Sequence, residues 1–350
     1  MPHLLERDLN HVMAHTGSMW ESLRDQRVFI TGGTGFVGTW LLESLAWANE
    51  RLKLDVTAVV LTRHPETFFK KAPHLVGSKA LRFLEGDAHS FTYPEGPFSF
   101  VIHAATEKTI PATPQQPLAS YDRDLETTRH VLQFASTHKT SRFLFTSSGA
   151  VYGKQPPQMT HLDEEYVGAP LTTDLNSAYG QAKHASEFMC SMYARQFGFT
   201  AVISRLFAFS GPYLPLSLNF AIGNFVRDVL AGRPISIAGD GTPYRSYLYS
   251  ADLAIWLWTL LIRGESTRPY NVGSDEAVTI RELADAVTRS TVPTTVVTVS
   301  RTAEPGTPPA RYVPSIDRAR NELGLRPIVP LEDGIRRMYQ WYSETARHGN

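Results

Sequence analysis

The sequence predicts an α/β protein built on a doubly wound parallel sheet, with a smaller C-terminal α/β lobe. Short apolar strands alternate with helical segments over residues 26–205, which is typical of buried parallel strands joined by helices. A glycine-rich turn follows the first of these strands. After Gly211 and Pro212 the pattern changes to frequent prolines and short elements, which indicates a second, less regular region.

Hydrophobic periodicity places the elements of the first region. Residues 1–25 are predicted to form a helical extension, 26–205 the first domain and 206–350 mainly the second lobe, with some segments returning to the first. The predicted strands are Arg27–Thr31, Val56–Leu61, Ala80–Leu84, Phe98–His103, Arg142–Thr146 and Thr200–Arg205, and the predicted helices are Phe36–Trp47, Tyr121–Thr137 and Tyr179–Phe197.

Composition excludes several classes of function. The 350 residues contain 34 basic and 34 acidic side chains, so no net charge attracts nucleic acid or an anionic membrane. Cys190 is the only cysteine, which excludes internal disulfides and a cysteine-based metal cluster. The most apolar run, Ala254–Ile262, is too short to span a bilayer. The histidines show no metal-binding spacing, so we expect no metal site. Because no apolar run is long enough to cross a bilayer, we expect a cytoplasmic protein.

The glycine-rich turn predicts a dinucleotide site. Gly32, Gly35 and Gly38 lie between a predicted strand and a predicted helix that begins with Phe36 and Val37. Glycines at this spacing allow a sharp turn and a close approach of backbone N–H groups to a pyrophosphate at the helix N-terminus. The first domain is therefore predicted to be Rossmann-like.

Residues at the ends of later strands complete the predicted cofactor site. Thr62 and Arg63 end the second strand, where an acid would suit the ribose 2′-hydroxyl of NAD and an arginine suits the 2′-phosphate of NADP. Either cofactor fits the pattern, and Arg63 favours NADP. Asp87 follows the third strand and Ala104 and Ala105 follow the fourth.

Tyr179 and Lys183 are predicted to be the catalytic pair. They are four residues apart in a predicted helix, so both side chains project from one face. A nearby ammonium favours the phenolate, so the tyrosine can exchange a proton with a hydroxyl or carbonyl. With a dinucleotide turn in the same chain, this pair predicts hydride transfer to or from a sugar-like alcohol.

Together these motifs resemble the extended short-chain dehydrogenase/reductases, and more narrowly the nucleoside-diphosphate-sugar epimerase/dehydratase family. The resemblance runs from about residue 26 to nearly the C-terminus. It is carried by residues 32–38, 147–153, Tyr179 with Lys183, 205–212, 270–273, 317–324 and 331–334.

The resemblance implies a nicotinamide cofactor, a nucleoside-diphosphate sugar as substrate, and a homodimer formed through the helices at 121–137 and 179–197. Tyr179 would be the general acid or base, and Lys183 would bind the nicotinamide ribose and lower the pKa of the tyrosine. Ser148 would donate a hydrogen bond to the sugar oxygen at the reacting carbon. The substrate-binding residues would be Ser148, Gly149, Asn219, Ile222 and Arg245.

Four positions depart from the family pattern. Dehydratases carry Asp-Glu, and decarboxylases a Glu, where this chain has Gly149 and Ala150. Neither residue moves a proton, so both activities are disfavoured unless another carboxylate such as Glu107 reaches the site. Ala208 replaces an asparagine, and Asp124 stands where an asparagine often begins a helix.

The remaining chemistry is oxidation and re-reduction at one carbon. We rank an epimerase first, with C4 as the favoured carbon, and an NADPH-dependent keto-sugar reductase as the alternative. A 4,6-dehydratase, a decarboxylase and a non-catalytic NAD(P)-binding sensor are less favoured, the sensor because Ser148, Tyr179 and Lys183 are all present.

Overall fold

The computed structural model describes residues 4–106, 116–217, 220–292 and 295–348. The strands are β1 (Arg27–Thr31), β2 (Thr57–Thr62), β3 (Leu81–Glu85), β4 (Phe100–His103), β5 (Arg142–Ser148), β6 (Thr200–Leu206), β7 (Phe209–Ser210), β8 (Ile235–Ile237), β9 (Tyr244–Arg245), β10 (Leu248–Tyr249), β11 (Pro269–Val272), β12 (Val278–Thr279), β13 (Val297–Val299) and β14 (Arg311–Tyr312). The α-helices are α1 (Glu6–Thr16), α2 (Phe36–Leu52), α3 (Pro65–Lys71), α4 (Pro117–Thr137), α5 (Ala178–Phe197), α6 (Ala221–Leu230), α7 (Ser250–Arg263), α8 (Ile280–Ser290), α9 (Asp317–Leu323) and α10 (Leu331–His348).

A seven-stranded parallel sheet in the order β11-β6-β5-β4-β1-β2-β3 is the framework of the fold. The order reverses between β1 and β4, which pair in parallel with Thr31 opposite His103. Ligands of doubly wound sheets bind at such a reversal, beyond the carboxyl ends of the strands. The predicted α/β fold with a parallel Rossmann-like sheet is therefore confirmed.

Strand composition explains why the sheet is buried on both faces. The middle of β1 is fully buried at Val28, Phe29 and Ile30, as the continuous apolar run in the sequence requires. Phe29 packs against Phe134 of α4 with ring centroids 4.4 Å apart. Aromatic contacts of this kind join the sheet to the helix layer that carries the site.

Helix ends follow local sequence signals. α4 begins with Pro117 in its first turn, where the missing N–H costs nothing. α5 ends at Gly198, whose φ of 78° and N–H bond to the Ala194 carbonyl form a left-handed cap. The helix predicted to begin at Tyr121 begins four residues earlier, at Pro117. The helix predicted to end at Trp47 ends five residues later, at Leu52. Both end turns carry few apolar residues, so the hydrophobic periodicity did not include them.

The chain divides into two compact units. The first contains residues 1–153, 168–206 and 254–270, and the second contains 154–167, 207–253 and 271–350. In the second unit, α8 begins with a capping box in which Thr279 and Glu282 bond reciprocally to each other's backbone N–H groups. Two of its small sheets have the strand orders β12-β9-β14 and β13-β8.

The N-terminal segment is part of the core of the first unit. Leu9, Val12 and Trp20 are at most 2% exposed. The Trp20 ring lies 5.2 Å from the ring of Trp258 in α7, and its indole N–H donates to the Thr16 hydroxyl at 2.7 Å. The segment predicted as a helical extension consists of α1 and a 3₁₀ helix over residues 17–23.

We expect Leu9→Ala to lower the free energy of unfolding by about 2–5 kcal/mol, because it empties a buried site. Leu4→Ala is the matched control, since Leu4 is 51% exposed and its loss should change stability by less than about 0.5 kcal/mol. Urea denaturation followed by circular dichroism measures both values. Equal losses in the two variants would contradict the packing described for α1.

Candidate active site

The glycine turn lies directly beyond β1, against the turn that follows β4. A Cβ on Gly32 would lie 2.4 Å from the carbonyl carbon of Ala104 and 2.5 Å from the nitrogen of Ala105. The Ala104 N–H donates to the Thr31 carbonyl at 3.1 Å. Only glycine permits this approach at position 32, where φ is +70°.

The same turn opens α2. A Cβ on Gly38 would lie 2.3 Å from the Gly32 carbonyl oxygen, so the helix can begin this close to the strand only with glycine at that position. Gly35 is the N-cap, and Phe36 and Val37 form the first turn with partly exposed side chains. A Cβ on Gly35 would lie 3.3 Å from the Gly32 carbonyl oxygen, and the first N–H groups of α2 are the donors that a pyrophosphate would need.

The predicted adenosine end of the site collects several charges. Arg63, 48% exposed, lies 3.9 Å from a carboxylate oxygen of Asp87, and Arg123 lies 3.8 Å from the same oxygen. His89 contacts the other oxygen at 2.6 Å. Burial alone would raise the pKa of Asp87, but the hydrogen bonds from His89 and the charge of Arg63 lower it.

Lys71 also lies at this end, and the sequence pattern did not point to it. Its ammonium donates to the carbonyl of Thr34 in the glycine turn at 3.2 Å and to the Thr39 hydroxyl at 2.8 Å. The Thr34 hydroxyl is 3.3 Å from the hydroxyl of Thr62. The Lys71 ammonium, carried by the short helix α3, is therefore another cation near the end of β2.

Close packing of α5 on the end of β5 brings the predicted catalytic residues together. A 3₁₀ helix over residues 149–152 follows Ser148, and a Cβ on Gly180 would lie 2.7 Å from the Ala150 carbonyl oxygen. On the next turns of α5, Glu187 accepts a 2.5 Å hydrogen bond from Ser147. Arg205 of β6 binds the same carboxylate in a bidentate pair.

The Tyr179 phenol lies beside the hydroxyls of Ser148 and Thr106, which act on its pKa as hydrogen-bond partners. Burial raises the pKa of Tyr179 to about 12, and the negative charge of Asp124 acts in the same direction, while the two hydrogen bonds oppose it. At neutral pH the side chain is therefore a phenol. This structure brings Ser148 and Tyr179 together as the pattern predicted.

Lys183 is buried one turn beyond Tyr179 on α5, and the expectation that it lowers the pKa of the tyrosine stays a prediction. Its ammonium donates to the Thr146 carbonyl at 3.0 Å and lies 5.9 Å from the Tyr179 ring centroid. Burial lowers the pKa of Lys183, and the charge of Asp124 opposes that shift. The hydrogen bond of the lysine is therefore to the backbone of β5.

The sequence pattern assigned no role in the site to Thr106 or Asp124. The Thr106 hydroxyl donates to a carboxylate oxygen of Asp124 at 3.5 Å, at the long end of hydrogen bonding. Asp124 lies on α4 and is 5% exposed. The available signal was position, since Thr106 follows Ala104 and Ala105 at the ligand-binding edge of the sheet.

A buried polar chain joins the glycine turn to α5. The imidazole of His103 contacts the Thr31 hydroxyl at 2.7 Å and the Thr128 hydroxyl at 3.2 Å. The Ser186 hydroxyl donates to Thr128 at 3.2 Å. Burial, with the charge of Lys183, lowers the pKa of His103 to about 3, so the ring is neutral and serves the packing of β1, β4 and α5.

Of the residues predicted to bind the sugar nucleotide, Ile222 and Arg245 lie in the second unit. Arg245 is partly exposed on β9, and its guanidinium donates to the Tyr244 carbonyl at 2.7 Å. Ile222 is fully buried in the first turn of α6, so only its backbone remains for a ligand. Asn219 and Glu107 lie outside the described residues. Gly149 is buried at the start of the 3₁₀ helix in the first unit.

Among the described residues, no group of histidine, cysteine and carboxylate side chains has the arrangement of a metal site. Within the same ranges, no helix combines the length and apolar character needed to cross a bilayer.

Comparison with known families agrees with this geometry. The profile of the NAD dependent epimerase/dehydratase family matches residues 28–273, which include the glycine turn, Ser148, Tyr179 and Lys183. The chain belongs to this family. NAD(P) dependence is typical of the family, and several homologous structures contain NAD.

Individual family members differ in their reactions. UDP-glucuronic acid decarboxylase 1 of Danio rerio is 27% identical over 327 residues, covering 92% of this chain and 74% of that protein. UDP-glucuronic acid 4-epimerase of Bacillus cereus, solved with UDP-glucuronic acid and NAD, has a TM-score of 0.77 at 20% identity, covering 91% of this chain and 100% of that chain. The dTDP-glucose 4,6-dehydratase of Streptomyces venezuelae, solved with NAD, has a TM-score of 0.77 at 23% identity, covering 92% and 98%. The two solved structures share the fold with this chain.

Proposed function

We propose that this protein is a nucleoside-diphosphate-sugar epimerase that inverts C4 through a transient 4-keto sugar. The observation that carries the proposal is the Tyr179 phenol beside the Ser148 hydroxyl, the last residue of β5. A phenol and a hydroxyl donor meet the oxygen at which charge develops during hydride transfer. The nicotinamide supplies hydride transfer when bound, and the chain supplies orientation and the proton.

The two residues after Ser148 argue against a dehydratase, which removes water from the sugar, and against a decarboxylase, which removes a carboxyl group. Gly149 and Ala150 form the start of a tightly packed 3₁₀ helix under α5, and neither side chain carries a proton. Elimination from C5 and C6 of a keto sugar needs an acid and a base at that position. Several sequence relatives are UDP-glucuronic acid decarboxylases, but this chain lacks the acid that the decarboxylase pattern places at residue 150.

The proton steps of an epimerase use these same groups twice. Tyr179 must first release its own proton to solvent, and as the phenolate it takes the proton of the sugar 4-hydroxyl while the carbon is oxidised. It returns that proton to the same oxygen as the carbon is reduced on its other face. Ser148 hydrogen-bonds that oxygen in both steps. The net reaction consumes no reductant, so a nucleotide sugar alone is sufficient substrate once the cofactor is bound.

Tyr179→Phe should reduce turnover by about 100- to 10,000-fold, because proton transfer loses its positioned group, while cofactor affinity stays unchanged. Tyr193→Phe is the matched control, since Tyr193 lies on the same helix α5 outside the site. The assay incubates the protein with UDP-glucuronic acid, UDP-glucose and dTDP-glucose and measures C4 inversion by NMR. Near-normal turnover in Tyr179→Phe would contradict the assigned role, and no product from the wild type with any nucleotide sugar would favour a sensor.

A keto-sugar reductase is the second candidate, and the cation cluster at the adenosine end favours it. Arg63 ends β2 half exposed and Lys71 lies beside the glycine turn, an arrangement that suits the 2′-phosphate of NADP. A reductase would use the same phenol with an exchangeable NADPH. Stoichiometric loss of NADPH on addition of a keto sugar would distinguish it from the epimerase.

We expect Arg63→Asp to weaken NADP binding about tenfold or more, because a charge-assisted contact becomes a repulsion, and to change NAD binding little. Arg82→Asp is the control, because Arg82 is an exposed arginine of β3. Isothermal titration calorimetry with both cofactors measures the two affinities. Equal loss of NAD and NADP would remove the argument for the phosphate form.

We also propose a homodimer formed through α4 and α5. Phe188 and Met192 lie one turn apart on α5 and are 67% and 44% exposed, and Leu118 at the start of α4 is 70% exposed. Apolar side chains of this size on one helix pair suit burial against a second copy of the same pair.

Phe188→Glu should convert the dimer to a monomer, because it places a charge in the apolar contact. Val167→Glu is the control, since Val167 is 99% exposed and lies in the second unit. Sedimentation velocity of the two variants and the wild type gives the mass of each species. A wild type that sediments as a monomer would rule out this interface.

A further inference from the structure

A buried histidine ends β4 at the point where the strand order of the sheet reverses. His103 is 1% exposed and lies opposite Thr31 of β1 in the parallel ladder. Its Nδ1 is 2.7 Å from the Thr31 hydroxyl, and its Nε2 is 3.2 Å from the Thr128 hydroxyl of α4. Both ring nitrogens are therefore engaged, and the proposed sugar chemistry uses neither of them.

The hydroxyl of Thr128 decides which nitrogen of His103 carries the proton. It donates to the Asp124 backbone carbonyl at 2.9 Å, and a threonine hydroxyl has one proton to give. Its oxygen therefore accepts from Ser186, at 3.2 Å, and from the imidazole. Because burial lowers the pKa of His103 to about 3, the ring is neutral and its single N–H is on Nε2.

The direction of the next hydrogen bond follows from this proton. A neutral imidazole that donates from Nε2 accepts at Nδ1, so the Thr31 hydroxyl is the donor in its contact with His103. The Thr31 oxygen in turn accepts the Ala105 N–H at 3.3 Å. The Thr31 backbone carbonyl accepts the Ala104 N–H at 3.1 Å. Both N–H groups of the turn after β4 are therefore tied to the last residue of β1.

These bonds fix the spacing of two turns that line the predicted cofactor site. Thr31 immediately precedes the glycine turn, and a Cβ on Gly32 would lie 2.4 Å from the Ala104 carbonyl carbon. The two turns thus touch where the strand order reverses between β1 and β4. Ligands of doubly wound sheets bind in the crevice at such a reversal. Cofactor affinity therefore depends on how firmly the turn after β4 is held against β1.

We propose that His103, acting through the Thr31 hydroxyl, is a positioning residue that holds the turn after β4 in place for the dinucleotide. The function it supplies is a buried hydrogen-bond acceptor at Nδ1. Because β2 and β4 flank β1 on opposite sides, this turn lies away from Arg63 at the end of β2. The effect is therefore expected to be the same for NAD and NADP, and it holds for an epimerase and for a reductase alike.

The first test locates the proton in the full-length protein without ligand. A two-bond ¹H–¹⁵N spectrum of protein labelled with ¹⁵N-histidine distinguishes the protonated ring nitrogen from the bare one. Loss of one set of signals in His103→Gln assigns the residue. We expect the Nε2–H form of His103 at neutral pH. The Nδ1–H form would overturn the proposal, because Thr31 would then be the acceptor of the contact.

The second test compares two amide side chains that each replace one end of the imidazole. The Oδ1 atom of asparagine stands in for Nδ1, and the Nε2 atom of glutamine stands in for the histidine Nε2. His103→Asn therefore keeps an acceptor for Thr31, whereas His103→Gln keeps a donor for Thr128. In isothermal titration calorimetry we expect His103→Gln to weaken NAD and NADP binding about tenfold, and His103→Asn to weaken it less than about threefold.

A merely structural role of His103 predicts a different order of the two variants. Asparagine leaves the larger void, so His103→Asn should be the less stable variant in urea denaturation. If affinity followed stability, His103→Asn would also bind the cofactors more weakly. Equal affinities of the two variants, or weaker binding by His103→Asn, would overturn the proposal.

Should either histidine variant fail to fold, variants of Thr31 keep the proposal testable. Thr31→Val removes the hydroxyl and should weaken both cofactors about tenfold, whereas Thr31→Ser should bind them as the wild type does. Thr140→Val is the matched control, because Thr140 is 9% exposed and donates to the Phe98 carbonyl at the opposite end of the sheet. Wild-type affinity in Thr31→Val would contradict the path through Thr31. These measurements use no sugar, so their outcome is independent of the reaction proposed above.

Discussion

The contact of α5 with the end of β5 is the constraint on which the site depends. Gly180 lets the helix approach the Ala150 carbonyl, where a Cβ would lie 2.7 Å from the oxygen. About two turns further along, Glu187 binds both Ser147 and Arg205, so the helix is fixed to two neighbouring strands. Breaking such a buried pair on one side leaves an uncompensated charge. The phenol of Tyr179 reaches Ser148 because the helix cannot slide or rotate against the sheet.

The fold and the principal site residues were predictable because their signals are local. Glycine spacing after an apolar strand predicted the turn that packs on Ala104, and a four-residue spacing on a helix predicted Tyr179 with Lys183. The electrostatics were not predictable in the same way. Proximity of a lysine in sequence suggested a lowered tyrosine pKa, whereas burial and Asp124 raise it. Desolvation depends on the complete packed environment, which spacing does not contain.

Thr106 could not be identified from the sequence either, because its place in the site depends on tertiary packing. The chain after β4 lies beside α4 and α5. Thr106 is therefore near Asp124, which is 18 residues away in the chain, and near Tyr179, which is 73 residues away. Nothing near Thr106 in the sequence distinguishes it from an ordinary loop threonine. Lys71 reached the glycine turn in the same manner, through the short helix α3. Partners of this kind emerge only when the order of strands and the packing of helices are known.

The central claim is that the Tyr179 hydroxyl is the group that exchanges a proton with the sugar. A crystal structure of the protein with its dinucleotide and a nucleoside-diphosphate sugar tests it most directly. The account predicts the hydroxyl within about 3.2 Å of the oxygen on the reacting carbon, with Ser148 contacting the same oxygen. A bound sugar whose reacting oxygen meets another side chain, with Tyr179 out of reach, would contradict the account.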